Sequence, residues 1–397
     1  MANFIGALIR RERLRQNYSQ EGLCRGICAV SYLSKIEQGK VAAGEDILLP
    51  LLDRLGIVYE RDGDFLRQIG HTVEALYEEL LSGQERLPAF AEHMAWLEEH
   101  RDRCLTSPYM LDVMLLATYV HRRLPDQELA EFVPCMDRRQ YALYLALQLD
   151  ERVENTGDEL LRLSPCGFYT CMVGINRFRN GRYLEAVDLL SRSYDLAARE
   201  GNVHLMYLSK LMLGNCYSIG GQRELMLEHY RVARKLAAAL GNNEDSISII
   251  DYNLGSTYLE WGMIDEAYAL LRTVHRQDTL YYHKLAIVLE KLGRREEALE
   301  ALTLGQAAVD ESRSDAPIIK EMLDLVEYRL KHPDYLRDGI YSSLMTDTFR
   351  LLRRTMPSGF AQFHLPYMLE VLEAERRYKE AYRLSIEFSG EMTLLSI

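Results

Sequence analysis

The sequence predicts an all-α protein: a small N-terminal helical domain followed by a solenoid of helical repeats. Three observations lead there. Apolar residues recur at three- and four-residue spacing, as at Leu184, Val187, Leu190 and Tyr194, and no sustained alternation of period two is bounded by turn residues. Proline is absent between Pro165 and Pro317, so nothing in that stretch breaks a helix by removing an amide donor. The segment LAAREGN at Leu196–Asn202 returns as LAAALGN at Leu236–Asn242, 40 residues later. Each ends a helix with Gly-Asn, a pair suited to the left-handed turn beyond a helix C-terminus.

Bulk properties narrow the class. A chain of 397 residues, 48% apolar, has room for two or more domains and a sizeable core. There is no apolar run of membrane-spanning length, and MANFIGALIRRERLR is too charged for a secretory signal. A soluble, cytoplasmic protein with no membrane partner is expected. The net charge of −12 argues against nucleic acid, but its distribution does not. Residues 1–40 carry seven Lys/Arg against three Glu, a net of +4, so the rest carries −16. A basic head on an acidic body places any nucleic-acid contact on the head alone. The seven cysteines are scattered and odd in number, which is no disulfide framework. Cys24 and Cys28 lack a second ligand pair at zinc spacing. No metal or cofactor is expected.

In the head, Phe4, Ile5, Leu8 and Ile9 give a first helix its apolar face. Ser19 suits the N-cap of a short second helix that opens with Gln20-Glu21 and ends at Gly26. The stretch ICAVSYLSKIEQGK (Ile27–Lys40) then forms a third, with Leu33 and Ile36 inward and Gly39 as its end. EDILLPLLDRLGI supplies a further helix or two, with Pro50 placed to kink it. Short helices with a tight turn between the second and third make a helix-turn-helix. The string SQEGLCRGICAVSYLSKIEQGK, closed by DILLPLLDRLGI, resembles the Xre/Cro-like class over about 60 residues. That resemblance implies that Val30, Ser31 and Lys35 face base edges, with Ser34 on the same side, and that Gln20 contacts phosphate at a helix N-terminus. It puts Tyr32 and Lys40 within reach of the backbone and has Glu37 orienting a basic neighbour. Ala29 departs from the class, which often has a capping Ser or Thr there. Val30 offers no hydrogen bond, only contact with a thymine methyl.

The middle of the chain carries Gly174, Gly214 and Gly255 at offsets of 40 and 41, small positions that let two helices approach closely. LGSTYLEWGMIDEAYALL, with Leu254-Gly255, Tyr258, Gly262, Ala267 and Leu271, resembles a tetratricopeptide repeat. So do LGNCYSIGGQRELMLEHYRVA, where Met226 replaces the small residue, VGINRFRNGRYLEAVDLL, LAIVLEKLGRREEALEAL and a degenerate LEVLEAERRYKEAYRL. The expected division is a helix-turn-helix domain at 1–60 and repeats over 65–397, clearest at 167–305. Pairs that cannot bury a face alone stack into a curved array.

The two resemblances together are those of the RRNPP group, peptide-sensing regulators of Gram-positive bacteria, with spelling close to its PlcR and NprR members. The resemblance implies a homodimer that reads an inverted-repeat operator in double-stranded DNA. It also implies a concave face that binds a short signalling peptide, whose binding changes how the two heads sit on DNA. If the first helix of each pair lines that face, its candidates are Arg179, Met212, Asn215, Tyr252, Asn253, Ser256, Glu260, His283 and Lys284. An Asn amide can bracket a peptide backbone with a donor and an acceptor, and Lys284 or Arg179 can hold a carboxylate. The alternative the same group offers is a repeat domain that binds a response regulator or other protein, with DNA binding secondary. An enzyme is not expected: no phosphate-binding loop, dinucleotide, zinc-protease or nucleophile-elbow motif occurs, and the ten His are dispersed.

Overall fold

The computed structural model describes residues 4–83, 88–121, 123–149, 155–241, 244–275 and 277–393. Among them there are 23 α-helices, two 3-10 turns and no strand. The chain divides into two compact units, Met1–Met172 and Val173–Ile397.

The first unit opens with α1 (Ile5–Arg15), α2 (Gln20–Cys24), α3 (Val30–Glu37) and α4 (Glu45–Arg54). Ser19 caps α2 by accepting from the Gly22 amide at 2.9 Å. Gly26, at φ +77°, turns the chain toward α3 in a conformation that a Cβ disfavours. Pro50 sits inside α4 and the helix continues through it; the segment forms one helix. Ile9, Leu23, Leu33, Leu51 and Leu52 are fully buried between these four helices. The closest approach is at Gly6, where a Cβ would lie 2.0 Å from the Ile36 carbonyl oxygen, so α1 and α3 meet almost backbone to backbone.

This core is not closed by the four helices. The unit continues with α5 (Gly63–Leu81), α6 (Pro88–Glu99), α7 (Arg101–Leu105), α8 (Met110–Val120), α9 (Gln127–Glu131), a 3-10 turn at Val133–Cys135, α10 (Arg138–Leu147) and α11 (Thr156–Leu163). Met110 and Leu111 of α8 and Phe132 after α9 pack into the same cluster as Leu33 and Leu51. Phe132 meets Phe4 edge to face at 6.3 Å. Arg11 lies over the Phe132 ring and pairs with Glu128. Glu60, just beyond α4, is held by Arg103 at 2.5 Å and by its own amide to the Thr106 carbonyl at 2.8 Å.

Next come α12 (Gly167–Arg179) and α13 (Tyr183–Glu200), α14 (Val203–Ile219) and α15 (Arg223–Ala239), α16 (Glu244–Glu260) and α17 (Ile264–Leu271), and α18 (Thr279–Lys291) and α19 (Arg295–Ala307). α20 (Ala316–Lys331) and α21 (Gly339–Thr355), then α22 (Ser358–Ala374) and α23 (Tyr378–Thr393), complete the series. Gly201 leaves α13 at φ +70°, and Asn202 accepts from the Leu205 amide to start α14. Its counterpart Asn242 lies outside the described residues.

The small positions act as the sequence implied, with one difference: they admit the partner's side chain rather than its backbone. A Cβ on Gly174 would meet Leu190, one on Gly255 would meet Leu271, and one on Gly214 would lie 2.4 Å from the Tyr230 ring. Met226, in place of the usual small residue, is completely buried. The first helices also touch in sequence, α14 with α16, α16 with α18 and α18 with α20, so they share one side of the array. Tyr183 and Ser358 are hydrogen-bonded at 2.9 Å although 175 residues apart; the array curves far enough to bring α13 and α22 together.

Because the Tyr230 ring has nowhere to move, Gly214→Ala is expected to destabilise the second unit by about 1–3 kcal/mol. Gly359→Ala, where a Cβ meets no neighbour within 4 Å, is expected to be near neutral. Urea unfolding midpoints of the two variants check this.

Candidate DNA-reading head and inner groove

In the head, the backbone of α3 is set by Leu33 and Ile36, which are buried at 0% and 3% exposure. The opposite side presents Val30, Ser31 and Lys35 to solvent, while Tyr32 and Ser34 are half-buried. Ser34 accepts from the Gln38 side chain at 3.0 Å. Ala29 caps nothing, so the first amides of α3 lack a side-chain partner. Lys40 is exposed in the turn after α3.

Glu37 is the organiser. It forks with Arg13 at 2.6 and 3.0 Å, both side chains nearly buried, a bidentate geometry that is directional as well as charged. Its second oxygen also accepts from Gln20 Nε2 at 2.8 Å. One carboxylate thereby joins α1, the start of α2 and the end of α3. Arg13 in turn donates to the Tyr18 carbonyl at 2.9 Å.

Of the seven cations in residues 1–40, Arg11, Arg13 and Arg15 are paired with Glu12, Glu37 and Glu128. Arg10, Arg25, Lys35 and Lys40 are exposed and make no ion pair among the described residues. These four supply the head's outward positive charge.

On the second unit, Tyr252, Asn253, Ser256 and Glu260 share α16, Met212 and Asn215 lie on α14, and His283 and Lys284 on α18. Arg179, the last residue of α12, is exposed. The asparagines are brought together: Asn253 donates to Asn215 Oδ1 at 3.0 Å, and Tyr230 donates to the same oxygen at 2.7 Å. The Asn215 amide nitrogen has only the Met212 sulfur, at 3.5 Å, a weak acceptor. Burial raises the Tyr252 hydroxyl above its ordinary pKa. Burial also raises the Glu260 carboxyl, with Lys284 opposing, and takes Lys284 well below the ordinary lysine value, with Glu260 opposing. The strip is polar and partly recessed: Tyr252, Asn253, Ser256 and Lys284 are half-buried and Glu260 is exposed.

His283 differs from the groove-facing position that helix counting suggests. It is 1% exposed, because α22 folds over it. Phe363 meets it edge to face at 5.9 Å and His364 stacks on it at 5.4 Å, while the Lys284 ammonium sits over the Phe363 ring. The degenerate repeat LEVLEAERRYKEAYRL falls on the end of α22 and on α23, but the packing of α22 on His283 leaves no mark on local periodicity, since the contact joins residues 283 and 364. Among the described residues neither His283 nitrogen has a hydrogen-bond partner; His364 donates from Nδ1 to the Phe360 carbonyl, and its Nε2 has no partner among them.

Residues 9–60 match the HTH_3 helix-turn-helix family. No curated protein matches the sequence. Among solved structures, one similar chain is a Rap protein complexed with Competence and Sporulation Factor. It is 14% identical, with 83% of this chain and 99% of that chain covered and a TM-score of 0.61. Another is Bacillus thuringiensis PlcR in complex with the peptide PapR7 and DNA, 14% identical, with 81% and 99% covered and a TM-score of 0.23. No helix among the described residues is long and apolar enough to cross a membrane.

Two outcomes are expected from this geometry. Glu37→Gln leaves Arg13 buried without its counter-charge and should cost about 3 kcal/mol or more, read by chemical denaturation. Burial, with Lys284 and Arg329 nearby, lowers the His364 pKa to about 3 and takes His283 well below its ordinary value. Glu260 and Glu290 are the acids facing this cluster, Glu290 already paired with Arg329. The unfolded chain therefore binds more protons than the folded one below about pH 6.5. Stability is full above that pH and is lost as pH falls toward 3, at up to about 1.4 kcal/mol per pH unit for each histidine. Urea midpoints of wild type and His364→Gln between pH 7.5 and 5 check it; the variant should show the shallower fall. The chain carries an HTH_3 helix-turn-helix domain at its N-terminus, and its helical repeats share the fold of a Rap protein.

Proposed function

We propose that the protein is a cytoplasmic transcriptional regulator of the RRNPP type. It works as a homodimer whose heads read an inverted-repeat operator and whose repeat array binds a short signalling peptide on its inner face. The observation that carries this reading is the pairing of a helix-turn-helix head, with its α3 face open, with an inner strip of recessed polar side chains. The repeat fold shared with a Rap protein solved with a signalling factor supports it.

On the head, Ser31 and Lys35 contact base edges and Val30 packs on a thymine methyl. Gln20, fixed by Glu37, donates to phosphate, and Tyr32, Ser34 and Lys40 support the backbone contact. On the array, the amides of Asn215 and Asn253 bracket the peptide backbone, the Met212 and Tyr252 side chains form its pockets, and Arg179 or Lys284 meets its carboxylate, with Ser256, Glu260 and His283 shaping the wall. A peptide that prefers one curvature of the array shifts the dimer toward it.

Selection of bound duplexes from a random pool by the purified full chain tests the reading: an enriched inverted repeat is expected, and none, with or without conditioned culture medium, overturns it. On the selected duplex, Lys35→Ala should weaken binding about tenfold and flatten the salt dependence by about one, with the thermal midpoint unchanged.

A further inference from the structure

The first unit contains a cavity of about 900 Å³ beside the DNA-reading face, with which it shares Lys40 alone. It lies between α1, the turn leaving α3, and the segment that follows α9. The size falls within the range of small-ligand sites, about 300–1,000 Å³. Its far wall, Phe132 to Cys135, lies outside the residues that match the helix-turn-helix family.

The lining is divided by chemistry. Leu14, 55% exposed, and the half-buried Val41 give the cavity its accessible apolar wall, with Ile5 and Phe132 buried behind it. Arg10 and Lys40 stand on the rim without ion pairs. The backbone N–H groups of Val41, Ala42 and Ala43 in the turn beside Lys40 have no acceptor among the described residues. Such consecutive free amides beside cations favour an anion. Of the two carboxylates on the wall, Glu37 is already held by Arg13 and Gln20; Glu131 is the other.

We propose that this cavity binds an amphipathic organic anion, its carboxylate or phosphate head on Arg10, Lys40 and the turn amides, and its apolar tail on Leu14 and Val41. The apolar wall favours such a molecule over a DNA phosphate, which has nothing to place there. Since the wall includes the turn after the recognition helix, its occupancy is linked to the head's geometry, independently of any peptide site.

Cys135 lines the cavity and is half-buried, while Cys28 is half-buried elsewhere. Alkylation of the full chain by N-ethylmaleimide, read by peptide mass, therefore locates the ligand. Decanoate below its micelle concentration is expected to slow modification of Cys135 at least fivefold and to leave Cys28 unchanged. Decanol should protect far less, and Arg10→Gln should remove the protection. A second measurement, the fluorescence of 11-(dansylamino)undecanoate, should saturate with wild type and not with Leu14→Asp. Equal protection by decanol, protection by a random DNA duplex but not by decanoate, or a dansyl signal indifferent to Leu14→Asp overturns the proposal.

Discussion

A helix pair can bury only part of its apolar surface by itself, and the second unit depends on how closely each pair can approach its own two halves. That distance is set at Gly174, Gly214 and Gly255, where the absent side chain makes room for Leu190, Tyr230 and Leu271. The Tyr230 case shows how one contact serves two ends. The ring fills the space above Gly214, and its hydroxyl reaches Asn215 on the inner side of the same helix. Packing between the two helices of a pair thereby fixes the amide that the inner strip presents. Dispersion contacts of this kind are small singly and large together, which is why a single methyl at such a place is felt along the array.

The head depends on a different interaction. Arg13 and Glu37 are taken almost fully out of water, a cost that only good geometry offsets. The structure meets that condition with a two-point fork and a third bond from Gln20. The result is that Gln20, the proposed phosphate contact, is positioned by the ion pair that locks α1 to α3. Position and stability of the reading surface are one property here. Phe132, Met110 and Leu111 complete the same core, so the head is continuous with the helices that follow it, and a disturbance near α9 reaches α1 through Phe4 and Arg11.

The inner side of the second unit shows what curvature adds. Tyr183 and Ser358 meet across 175 residues, and α22 lays Phe363 and His364 onto His283. Buried histidine nitrogens that lack partners among the described residues are costly. Beside them Lys284 is half-buried and lies over the Phe363 ring, while Glu260 is exposed.

What the sequence determined by itself is what local rules govern. The period of three to four gave the helices, Ser19 and Gly26 gave the turn before α3, and the spacing of Gly174, Gly214 and Gly255 gave the pairs. Glu37 was legible as a partner for a basic side chain only through the resemblance to the Xre/Cro-like class. Three things were decided only by tertiary structure. The identity of the partner, Arg13, depends on α1 lying against Ile36. The burial of His283 depends on a helix 80 residues away. The apolar wall that closes the head depends on Phe132, which no motif connects with residues 9–60. In each case the deciding contact joins residues far apart in the chain, and a periodicity counted within one helix carries no information about what that helix will meet.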